Sequence, residues 1–138
     1  MKKYLLGCTG CSTSSKGVSG ALLFVRLVAG IAFILHGWGK IQTPFAWMGA
    51  DAPVPGIFQF LAALAEFGGG ICWVLGLLTP VASAGILATM AVAMMFHINK
   101  GDGFTGGWEL AAVYFSLAVL FLCAGPGSYS VDAKLKKS

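Results

Sequence analysis

Six ionisable residues lie inside or at the ends of long apolar stretches of this chain: Arg26, His36, Lys40, Glu66, His97 and Glu109. Charges in such surroundings are costly unless they meet partners, a cavity or a site. Two His and two Glu drawn from separate segments could bind a metal, relay protons or hold the polar head of a quinone. His36 and Lys40 stand four residues apart and share one helical face. Neither a Glu-x-x-His nor a His-Glu-x-x-His spacing occurs, which argues against the usual di-metal bundle and zinc-protease sites. The plain alternative is that these side chains snorkel to a membrane interface.

The four cysteines add little. Cys8-x-x-Cys11 has the spacing of a redox pair or half a metal site, but no second such pair follows. Cys72 and Cys123 fall within apolar runs, where a free cysteine behaves as a small hydrophobe.

The elements that must position these residues follow from composition. Of 138 residues, 57% are hydrophobic and only 10% charged, against roughly 25% charged in a soluble domain. A water-soluble globule of this composition would expose large apolar patches, and a disordered chain would be richer in charge. Four apolar runs cover residues 20–40, 57–78, 80–98 and 108–124. Each approaches the ~20 residues that carry an α-helix across ~30 Å of hydrocarbon. The expected fold is therefore all-α: an antiparallel four-helix transmembrane bundle at 18–126, between a tail at 1–17 and a basic tail at 127–138. Thr79-Pro80 makes a tight hairpin of the second and third helices, with Pro80 in a first turn where its missing N–H costs nothing. The loop at 41–56 holds Pro44, Pro53 and Pro55, leaving room only for a short turn near 45–48.

The net charge of +4 does not indicate nucleic acid, because the basic residues cluster at the termini rather than along one face. Lys2, Lys3 and Lys16 precede the first helix, and Lys134, Lys136 and Lys137 follow the fourth. The two long loops hold only Lys40 and Lys100, each offset by an acid, Asp51 and Asp102. The positive-inside bias then puts both termini in the cytoplasm and Trp38, Trp47 and Trp108 at the opposite interface. Leu5-Leu6-Gly7-Cys8 resembles a lipoprotein box but lacks a preceding apolar stretch, so residues 1–17 are read as cytosolic tail.

Depth arithmetic suggests one pairing. Arg26 lies ~10 Å from the cytoplasmic end of its run and Glu66 ~13 Å from the opposite end of its own. Across ~30 Å their levels differ by ~7 Å, so an Arg26–Glu66 pair is expected near mid-membrane, as a structural clamp or part of a site. His36, Lys40, His97 and Glu109 group toward the outer side. Small residues (Gly30, Gly37, Gly68 to Gly70, Gly76, Ala82, Gly85) supply faces for close helix packing in lipid.

In order along the chain, Arg26-Leu27 with Gly30, FILHGWGK at 33–40, EFGGG at 66–70, GLLTP at 76–80, Phe96-His97, GGWE at 106–109 and GPGSYSVD at 125–132 together resemble the DoxX family of small membrane proteins. The resemblance implies a four-helix bundle in the bacterial inner membrane. It also implies a link to quinone- or thiol-dependent redox complexes, with Arg26, His36, Lys40, Glu66, His97 and Glu109 as the matching polar positions. No family role carries over to Cys8 and Cys11. Three functions stay open: a redox component with a quinone pocket, a non-catalytic scaffold holding partner proteins or a second copy, and a small transporter, which four helices could form only as an oligomer.

Overall fold

The computed structural model describes residues 15–49 and 51–137. Five α-helices follow one another among them: α1 (Lys16–Gln42), α2 (Gly56–Leu75), α3 (Thr79–Asn99), α4 (Glu109–Ala124) and the short α5 (Val131–Lys137). No strand occurs among the described residues. Four helices, α1, α2, α3 and α4 extended back to Phe104, are long and apolar enough to cross a membrane. Consecutive spans run antiparallel, as expected.

α1 is longer than its apolar run. The Ser15 hydroxyl accepts from the Val18 N–H at 3.2 Å, capping the helix four residues upstream of Gly20. At 27 residues and ~1.5 Å rise, α1 extends ~40 Å, about 10 Å more than the hydrocarbon core. α2 ends earlier than its run. Gly76 adopts φ 65° and returns its N–H to the Cys72 and Trp73 carbonyls, a left-handed stop that glycine makes without steric cost. The hairpin turn is thus Gly76 to Leu78, and Pro80 sits in the first turn of α3 as expected. Before α4, Phe104–Trp108 forms a distorted turn in which Gly106 takes φ 79°.

Glycines bring α1 and α2 together. A Cβ on Gly37 would lie 2.6 Å from the Phe67 backbone nitrogen, and one on Gly30 would lie 2.8 Å from the Gly70 carbonyl oxygen. Such contacts fix which residues face one another across the seam. The triple glycine does not break α2, which runs unbroken through it.

Aromatic rings fill the centre. Trp73 on α2 makes edge contacts with Phe33 of α1 at 5.5 Å and Phe121 of α4 at 4.8 Å. Its Nε1–H donates to Ser83 Oγ of α3 at 2.9 Å, so one buried indole touches all three other spans with its polar atom satisfied. α1 and α4 meet through Phe33 and Tyr114, 4.6 Å between centroids. Cys72 is half-buried, whereas Cys123 is exposed on α4 and packs less than its place in the apolar run suggests.

The last described segment is docked on the bundle. Asp132, fully buried, accepts from the Leu78 and Thr79 N–H groups at 2.8 and 3.0 Å, while its own N–H donates to Gly76 O at 2.9 Å. A side chain from the chain's end thus caps α3, and it holds Leu78 at φ 48°, a conformation a leucine adopts only under constraint.

Candidate functional site

The polar residues resolve into separate groups. The most buried ion pair joins the last turn of α1 to the middle of α2. Because Gly37 rests on Phe67, Lys40 one turn further on reaches Glu66. Its Nζ lies 2.7 Å from both carboxylate oxygens. The Glu66 side chain is 4% exposed and that of Lys40 27%, so the acid is the interior partner and the ammonium its link toward the surface.

The loop between α1 and α2 folds over this pair. The Lys40 ammonium stands 4.5 Å from the centre of the Trp47 ring, a cation–π contact strengthened by partial desolvation. Trp47 is held by its Nε1–H, which donates to Gln59 O at 2.9 Å. Gln59, buried in the first turn of α2, accepts from Met48 N–H at 3.0 Å and donates to Val54 O at 2.8 Å. Phe45 stacks on Phe60 at 5.1 Å. The result is a carboxylate and an ammonium roofed by an indole, with the roof pinned by one glutamine.

The expected Arg26–Glu66 pair does not form. The Gly37–Phe67 and Gly30–Gly70 contacts set the register so that Glu66 faces the end of α1. Arg26 lies instead beside Gly76, where a Cβ would collide with its guanidinium. Arg26, fully buried, donates to Pro126 O at 2.9 Å and Tyr129 O at 2.8 Å. Asp132 is the acid whose charge acts on it. Its Nε and the Thr79 hydroxyl have no hydrogen-bond partner. Arg26 thus fastens the C-terminal segment to the bundle.

The remaining positions do not join either group. His97, at the end of α3, places Nδ1 2.7 Å from Asp102 Oδ2, both partly exposed. His36 is exposed, with its ring 6.4 Å from that of Tyr114. Glu109 is exposed in the first turn of α4, where a negative charge suits the helix dipole. Among the described residues no three His, Cys, Asp or Glu side chains gather as metal ligands would. Cys8 and Cys11 lie outside the described residues.

Sequence reasoning missed Trp47, Gln59 and Asp132 as members of these groups. Gln59 carried a signal, a lone amide in an apolar helix. Asp132 carried another, the only acid in an otherwise basic C-terminal segment.

Residues 21–98, which carry Arg26, Lys40 and Glu66, match the DoxX family model. The chain belongs to the DoxX family. It is 37% identical over 124 residues to the inner membrane protein YqjF of Escherichia coli (strain K12), covering 84% of this chain and 92% of that protein. It is 34% identical over 122 residues to an uncharacterized protein of Haemophilus influenzae, covering 84% and 91% respectively. No solved structure matches it. Together with the four apolar helices, this makes the DoxX chain a multi-pass inner-membrane protein.

Proposed function

We propose that this DoxX protein is the membrane component of a quinone-linked redox system, and that the Lys40–Glu66 pair receives the quinone's polar head. The carrying observation is the closed pair itself. A buried ion pair is seldom the most stable filling for its volume, so its presence at the end of α1 favours a chemical use. The donor set suits the ligand. Two directions of the Lys40 ammonium are taken by Glu66, while Trp47 offers it a π face that a carbonyl oxygen could replace. Lys40 then donates to the ligand, Glu66 holds or releases a proton at its carboxylate, and Trp47 keeps water out. A quinone bound there supplies two-electron, two-proton chemistry, with the electrons coming from a partner protein.

Titrating the full chain in nanodiscs with a short-chain benzoquinone tests this through tryptophan fluorescence. The expected result is saturable quenching that largely disappears in Trp47→Phe and in Lys40→Met. Quenching that rises linearly and equally in all three chains contradicts it.

A scaffold reading has its own support. The spans α3 and α4 are less buried within the bundle than α1 and α2, leaving more surface for lipid, a partner subunit or a second copy. A stoichiometric partner that stays bound to Glu66→Gln, with activity of the complex intact, selects that reading instead.

A further inference from the structure

Among the described residues, the bundle end at which α1 begins and α3 is capped carries exposed cations and no exposed acid. Lys16, Lys134 and Lys136 are exposed there. Of the chain's five acidic residues, Asp51, Asp102 and Glu109 belong to the opposite end and Glu66 is held by Lys40. The fifth, Asp132, is withdrawn from the surface because its carboxylate caps α3. Large apolar side chains lie among the lysines: Tyr129 is 49% exposed, Leu135 53% and Val18 47%.

This surface is built, not frayed. A seven-residue helix such as α5 is far below the length at which helices persist alone in water. α5 is fixed through Asp132, and the preceding segment by the two Arg26 hydrogen bonds and by Ser128 N–H donating to Ser19 Oγ at 3.3 Å. Lysines interspersed with a tyrosine and aliphatic groups at the end of a membrane bundle complement one kind of surface, where acyl chains meet negatively charged headgroups. From this charge pattern and its rigid mounting, we infer that the C-terminal segment is a docking surface for anionic phospholipid of the adjacent leaflet. Lys16, Lys134 and Lys136 meet the phosphates, and Tyr129 and Leu135 enter the interface. Asp132 makes the surface selective by keeping its own charge inside.

Native mass spectrometry of the delipidated full chain, offered phosphatidylglycerol and phosphatidylcholine in equal amounts, tests the inference. The expected result is preferential retention of phosphatidylglycerol. That preference falls about fivefold for each lysine removed in Lys134→Gln/Lys136→Gln and is kept in Lys134→Arg/Lys136→Arg. Both sites are exposed, and equal unfolding temperatures in neutral lipid verify that the variants fold. Equal retention of the two lipids by the unaltered chain overturns the inference and leaves the patch to an acidic protein partner. An undiminished preference in the glutamine variant overturns it as well, by placing the lipid elsewhere.

Discussion

Lys40 and Glu66 come from helices of opposite direction, yet the ammonium sits 2.7 Å from each carboxylate oxygen. The pair is lopsided, with Glu66 almost wholly enclosed and Lys40 partly exposed. Lys40→Met therefore strands a buried carboxylate, whereas Glu66→Gln leaves a cation that can turn outward. Unfolding in mild detergent should show Lys40→Met costing roughly 3 kcal/mol and Glu66→Gln less than half of that. Equal costs would mean that both charges are equally confined.

Arg26 holds the C-terminal segment through the Pro126 and Tyr129 carbonyls, and Asp132 ties it to the start of α3. Asp132→Ala removes the α3 cap and the complement of Arg26 together, for an expected loss of about 3 kcal/mol. The segment at 125–137 should then become sensitive to limited proteolysis while the spans stay protected. Cleavage no faster than in the unaltered chain would show that Arg26 suffices.

Gly37 and Gly39 differ in what a methyl group would meet. At Gly37 it strikes the Phe67 backbone, and at Gly39 it meets nothing within 4 Å. Gly37→Ala should cost about 1–3 kcal/mol by forcing α1 from α2, and should also loosen the Lys40–Glu66 contact. Gly39→Ala should be neutral or slightly stabilising, since alanine favours a helix over glycine. Thermal unfolding of the two variants side by side distinguishes these outcomes.

The distribution of basic residues predicts both termini in the cytoplasm. In a cysteine-free background, a membrane-impermeant thiol reagent on intact spheroplasts should label Ala46→Cys, in the α1–α2 loop, and spare Lys136→Cys. The reverse pattern would invert the topology and assign the lysine patch to the outer leaflet.

The four spans, the Pro80 helix start and the glycine faces were legible because each follows from local composition. Helix register was not. Depth arithmetic placed Arg26 opposite Glu66 by treating the apolar runs as flush cylinders, but Ser15 extends α1 upstream and Gly37 against Phe67 sets the actual pairing. That offset reassigns both members of the expected pair: Glu66 to Lys40, and Arg26 to carbonyls about a hundred residues away in sequence. Contacts of Asp132 with Leu78, or of Trp47 with Gln59, depend on how the chain returns on itself, which periodicity within a helix cannot encode. Of the six polar positions singled out from the sequence, Lys40 and Glu66 pair with each other, while Arg26 and His97 find partners elsewhere.

The decisive measurement replaces the pair by apolar residues of similar size. Lys40→Met/Glu66→Leu leaves no stranded charge, so its stability should stay within about 2 kcal/mol of the unaltered protein, while saturable benzoquinone quenching in nanodiscs should be abolished. A double variant that folds and still quenches with unchanged saturation would contradict the account, reducing the pair to a clamp between α1 and α2.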